Sequence, residues 1–68
     1  MFKVKFNICV ENNSGSAEYY EKKYDAKSVT FNKDTECFEF RKSGSPGEVT
    51  NLVAVVPREN VLEITNED

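Results

Sequence analysis

The sequence predicts an all-β fold: a small barrel or strongly curled antiparallel meander of about six short strands, with no substantial helix. Three observations carry this. Apolar residues alternate with Lys3, Lys5 and Asn7 between Phe2 and Val10, and a period of two is the signature of a strand with one buried face. Clusters of Asn, Ser, Gly, Asp and Pro recur at short intervals between the patterned segments, as connections between strands do. Near the other end, five consecutive apolar residues, Leu52, Val53, Ala54, Val55 and Val56, stop at Pro57.

Taken in order, residues 2–10 form the first strand. Phe2, Val4, Phe6, Ile8 and Val10 share one face, and Lys3, Lys5, Asn7, Cys9 and Glu11 share the other. The turn cluster Asn12-Asn13-Ser14-Gly15-Ser16 reverses the chain. Ala17–Tyr24 returns as AEYYEKKY. Its tyrosines favour a strand. A short helix is the alternative, because Glu and Lys are good helix formers and Tyr20 and Tyr24 are four apart. Pairing with the long first strand favours the strand. Asp25-Ala26-Lys27 is a bend, and residues 28–31 form a short strand with Val29 and Phe31 inward. After the turn Asn32-Lys33-Asp34-Thr35, residues 36–41 continue with Phe38 and Phe40 inward and Cys37, Glu39 and Arg41 outward. Residues 42–48, KSGSPGE, read as a mobile surface loop. Strands over 49–56 and 61–65 flank a polar turn at 57–60, and residues 66–68 are a polar tail. Such a chain buries its five phenylalanines best by curling, and closure also removes unpaired edges.

Sixty-eight residues make one small domain, residues 1–68. A chain this short buries a modest fraction of its surface, and small domains often lean on disulfides, metals or partner subunits. Two cysteines and no histidine leave the first two routes thin, so association with another chain is the route left open. The net charge of −3, from 9 basic and 12 acidic residues, gives no general pull toward phosphate backbones. Nothing approaches the roughly 20 apolar residues of a membrane span, and the alternating N-terminal stretch lacks the continuous apolar core of a signal peptide. The expected location is the cytoplasm, where thiols stay reduced.

The segment Val55-Val56-Pro57-Arg58-Glu59-Asn60-Val61-Leu62-Glu63-Ile64 resembles the last corner of Src-homology-3-like small barrels. In that family a hydrophobic strand ends in proline, a single 3-10 turn follows, and a final strand runs from valine to an aliphatic residue. The resemblance covers about ten residues and implies a barrel-like corner. The family's paired tryptophans have no counterpart, since the chain has no Trp. In overall style, a short acidic chain rich in Lys, Asn and Glu is similar to small accessory proteins of phages and prophages of low-GC bacteria.

Catalytic chemistry finds little support. Without histidine there is no imidazole base, no Ser-His or Cys-His pair and no His-metal site. Glu11, Glu21, Glu39 and Glu63 occupy outward strand positions, the normal solvated face. Gly44 and Gly47 lie in a Ser/Pro loop with no helix after it, so they form no phosphate-binding loop. No catalytic residue, cofactor or metal site is assigned, and the expected class is non-enzymatic. Cys9 and Cys37 share outward parity; they read as reduced thiols, with a redox or intermolecular pair as the alternative.

Two binding surfaces remain. In the run at 52–56, Leu52, Ala54 and Val56 face the core, which sends Val53 and Val55 outward. Contiguous exposed apolar surface marks contact sites, so Val53 and Val55 are the candidate protein interface, for self-association or for a partner protein. The same pattern also suits a central strand covered by the rest of a barrel. The second surface is the aromatic-basic cluster Tyr19, Lys22 and Lys23, which suits single-stranded nucleic acid by stacking and charge. Against it, Glu18 and Glu21 interleave, and Tyr20 and Tyr24 suit the core. The leading expectation is therefore a small cytosolic protein-interaction module, with a nucleic-acid-binding barrel second and a subunit of a larger particle third.

Overall fold

The computed structural model describes residues 1–42 and 51–68. Residues 43–48 of the expected loop at 42–48 and the first two residues of the expected strand at 49–56 lie outside the described residues. The described chain is all-β, with six strands: β1 (Phe2–Glu11), β2 (Ala17–Tyr24), β3 (Ser28–Asn32), β4 (Cys37–Arg41), β5 (Leu52–Pro57) and β6 (Val61–Asn66). A single 3-10 turn, Arg58–Asn60, joins the last two. Residues 17–24 form a strand, as hairpin pairing with β1 favours.

The strands divide into two three-stranded antiparallel sheets, ordered β2-β1-β6 and β3-β4-β5. This differs from the expected architecture in two ways. The ladders do not close into one barrel among the described residues. Nor does the chain run as a simple meander, because β6 returns beside β1. The cause lies in two corners. At 25–27 the chain tightens, with the Ala26 N–H bonded to the Tyr24 carbonyl at 3.0 Å, and leaves the first sheet. At Pro57, φ is fixed and the backbone donor is missing, so β5 ends, and the 3-10 turn carries the chain back to the first sheet. The Arg58 N–H bonds the Glu36 carbonyl at 2.9 Å and fixes this corner to the β3–β4 hairpin.

The two hairpin turns share one device. Asn12 Oδ1 accepts from the N–H groups of Ser14 and Ser16, each at 3.0 Å, and the Asn12 N–H reaches the Ser16 carbonyl at 2.8 Å. Asn32 Oδ1 accepts from the Asp34 N–H at 2.9 Å, and its carbonyl accepts from the Glu36 N–H at 2.8 Å. Each turn then needs a left-handed residue to rejoin the strand. The first uses Gly15 at φ +84, where glycine is unstrained. The second uses Glu36 at φ 57, a conformation that a side chain makes costly. β4 accordingly starts at Cys37, one residue later than the composition suggests.

The core lies between the sheets. Phe2, Val4, Ala26, Phe40 and Val56 are its buried apolar residues. Phe40 is its centre: its ring meets Phe2 edge-on at 5.9 Å and stacks on Tyr24 at 5.2 Å. Tyr24, Val29, Phe38, Ala54, Val61 and Ile64 pack around this set. Register explains the selection. Val4 pairs with Ile64, Phe2 with Tyr24, Val29 with Phe40 and Phe38 with Val56, and cross-strand partners share a face.

Four residues depart from the parity expected of them. Ile8 and Val10 belong to the inward row of β1 but stand 51% and 41% exposed. β1 is ten residues long, whereas β3, β4, β5 and β6 run five or six, so its far half passes beyond what the opposite sheet covers. Arg41 departs in the other direction. It was expected outward, yet it is only 3% exposed, held by Glu39 Oε1 at 2.9 Å and by the Thr30 hydroxyl at 3.3 Å. Phe31, expected inward, lies at the end of its sheet with its ring 5.2 Å from Phe38 and the Arg58 guanidinium 5.7 Å above it.

Two substitutions test this account by urea unfolding. Phe40→Ala removes the central ring and is expected to cost about 3–5 kcal/mol, enough to leave so small a domain largely unfolded. Gly15→Ala meets no atom within 4 Å; its cost, about 1–2 kcal/mol, is the left-handed backbone alone.

Candidate protein interface

Nine large apolar side chains stand exposed among the described residues, against five apolar residues that are buried. Single exposed apolar groups are ordinary, whereas clusters mark contact surfaces. Two clusters stand out, one on β5 and one on the overhanging β1–β2 hairpin.

The β5 cluster is Val53 and Val55, exposed at 39% and 48%. The strand parity read from the sequence holds: Val56 is buried, and Leu52 and Ala54 are half-buried. Val53 is also the extra residue of a bulge. Phe40 pairs with Ala54 and Arg41 with Leu52, so Val53 has no opposite number. A bulge twists an edge and interrupts its ladder, and Pro57 closes the far end of the same strand. Val55 pairs with Glu39, whose carboxylate accepts from the Asn32 amide at 3.1 Å and meets Arg41. These contacts make a charged, ordered platform beside the two valines. The Asn32 amide first, then the Arg41 guanidinium, hold the Glu39 carboxyl below its ordinary value.

The hairpin cluster comprises Ile8, Val10 and Tyr20. Lys5 pairs with Glu21 and Cys9 with Tyr19, so three residues of β1 lie opposite Tyr20 alone. This irregularity is on β1, and β2 itself is continuous. Phe6 lies tilted against Tyr20 with ring centres 5.5 Å apart and links the cluster to the core. β6 pairs with β1 only as far as Phe6. Beyond that residue the hairpin has two strands, and every residue of β2 but the half-buried Tyr24 is exposed.

The aromatic-basic set of β2 is not brought together. Successive strand residues point to opposite faces, so Tyr19 and Lys23 share a face with Glu21, while Lys22 shares the other with Tyr20 and Tyr24. Lys23 Nζ pairs with Glu67 at 3.1 Å, and Lys22 Nζ sits 5.4 Å above the Tyr24 ring. On the outer face Lys3 and Lys5 each reach Glu21, and Lys3 also reaches Glu67, all at 4.0 Å. The lysines there are matched by carboxylates and form no basic stripe.

An open recess of about 170 Å³ is lined by Thr35, Glu36, Pro57, Arg58 and Glu59. Its cation is already engaged, with Arg58 bonded to Glu36 at 3.3 Å. Cys9 and Cys37 are free thiols in different sheets. Cys37 Sγ donates to the Thr35 carbonyl at 3.4 Å. No helix among the described residues is long and apolar enough to cross a membrane.

Strand parity in the sequence sends Val53 and Val55 outward, where the structure has them, and puts Ile8 and Val10 on the inward face and Tyr20 in the core, where the structure leaves all three exposed. The available signal was length: a strand pattern of nine or ten residues opposed by patterns of five or six leaves an overhang. Comparison with protein-family models, curated proteins and solved structures finds no match.

The Glu39 platform gives a pH test. Folding lowers this carboxyl's pKa, so the unfolded chain binds its proton more readily. The resulting stability is present above the ordinary carboxylate pKa of about 4.3 and is lost as pH falls through the lower folded value. In acid titrations of thermal stability, Glu39→Gln is expected to be less stable than the parent at pH 7, with the difference shrinking below pH 4.

Proposed function

We propose that this chain is a small, non-enzymatic protein-interaction module that works through exposed apolar sheet surface, by self-association or by binding a partner protein. The observation that carries this reading is the nine exposed large apolar side chains, six of which lie on β5 and on the β1–β2 hairpin. Val53 and Val55 are the proposed contact on β5. They lie beside an ordered charged pair, so a partner meets a pre-shaped surface and little side-chain ordering is required on binding. The strand, 3-10 turn and strand at 55–64 have the layout that the Src-homology-3-like resemblance implies. This supports reading the domain as an opened small barrel. Carboxylates interleaved with the β2 lysines weigh against nucleic acid as the ligand.

The test is sedimentation and pull-down with Val53→Lys and Val55→Lys. Both side chains point to solvent, so each variant is expected to keep the parent's unfolding midpoint within about 0.5 kcal/mol of stability while losing a partner protein captured through β5. Tight binding of single-stranded DNA or RNA that weakens steeply with salt is the result that contradicts the proposal.

A further inference from the structure

We infer that the free edge of β2 is a pairing site for the same edge of a second copy of this chain, in one register with Tyr20 opposite its own copy. The inference rests on the self-association reading and names its partner and its geometry.

The first argument is availability. The two sheets have four edges, β2, β6, β3 and β5. β5 carries the Val53 bulge and ends in proline. β6 carries a bulge at Leu62, since Lys5 pairs with Glu63 and Phe6 with Val61. β3 has five residues. β2 has eight, continuous and exposed up to Tyr24. Its outward N–H and C=O groups form an open template for another strand.

The second argument is charge. Lysines on an edge ordinarily block such pairing. Two copies of one edge pair antiparallel about a two-fold axis perpendicular to the sheet, which sets one residue opposite its own copy and keeps each face continuous. β2 permits a seven-residue ladder in only two such registers, centred on Tyr20 or on Glu21. Centring on Glu21 opposes two carboxylates. Centring on Tyr20 sets Glu18 opposite Lys22 of the second copy, and Lys22 opposite Glu18, and it opposes no like charges. Tyr20 meets Tyr20 of the second copy at the axis, an aromatic cross-strand pair.

Within one chain these charges cannot meet, because four residues of strand separate them by about 13 Å. Glu18 accepts a hydrogen bond from the Asn12 amide at 3.1 Å, and Lys22 sits over Tyr24. Neither has an oppositely charged partner among the described residues. The pairing also joins the two exposed apolar hairpin faces, each carrying Ile8, Val10 and Tyr20, across the axis.

The experiment is charge reversal read by sedimentation equilibrium. The parent is expected to be a dimer. Glu18→Lys and Lys22→Glu are each expected to raise the dimer Kd by about tenfold or more, since each replaces two attractive cross-strand pairs with two repulsive ones. Both should retain the parent's far-ultraviolet circular dichroism. An equimolar mixture of the two is expected to regain the dimer, because every opposed pair is then Lys against Glu. The double variant Glu18→Lys/Lys22→Glu is expected to regain it alone. A parent that stays monomeric at millimolar concentration overturns both this inference and self-association. A parent dimer indifferent to both reversals, or reversals that mixing does not repair, overturns the β2 register and leaves self-association standing, with Val55→Lys then locating the contact on β5.

Discussion

Phe40 is the contact on which the rest of the fold depends. It has no exposed surface, and its ring lies against Phe2 and Tyr24 of the opposite sheet. Two three-stranded sheets of such short strands have little else to hold them face to face. Burial of a side chain of this size contributes about 1.5–3 kcal/mol, a large share in a domain whose net stability is small. Val4 and Val56 extend the contact along β1 and β5, and Ala26 fills the corner where the chain crosses between sheets. The core is therefore local to one end of β1.

That placement divides the molecule into a covered part and an uncovered one. The buried residues of β1, Phe2 and Val4, lie in its first half, and every residue from Asn7 to Glu11 is exposed. Past Phe6, β1 loses β6 as a neighbour and the opposite sheet as a cover. The alternation of apolar and polar residues nevertheless continues to Val10. A half-buried pattern with nothing to bury it is a local conflict between sequence and fold. The hairpin's continuing apolar face follows from this length mismatch, and its open edge from the place of β2 at the end of the sheet.

Much of this was legible in the chain. Period-two alternation located β1, the tyrosines and hairpin logic located β2, and Pro57 marked the corner between β5 and β6. The outward parity of Val53 and Val55 was readable because a strand has only two faces. Three features were not. Ile8 and Val10 share their parity with Phe2 and Val4, and parity alone cannot say where the opposing sheet stops. The burial of Arg41 depends on Glu39 and Thr30 converging from the same sheet face, which only the register β3-β4 reveals. The return of β6 to β1 depends on a turn whose direction the residues Arg58, Glu59 and Asn60 do not spell out.

The central claim is that β2 is an open edge in the single chain and a paired one in the associated chain. Amide hydrogen exchange across β2, compared between dilute and concentrated protein, measures this directly. The account predicts that alternate amides between residues 17 and 23, those pointing away from β1, exchange rapidly when dilute and slow markedly on association, while the amides of β4 stay protected throughout. Equal exchange along β2 at both concentrations, with protection gained on β5 instead, would contradict it.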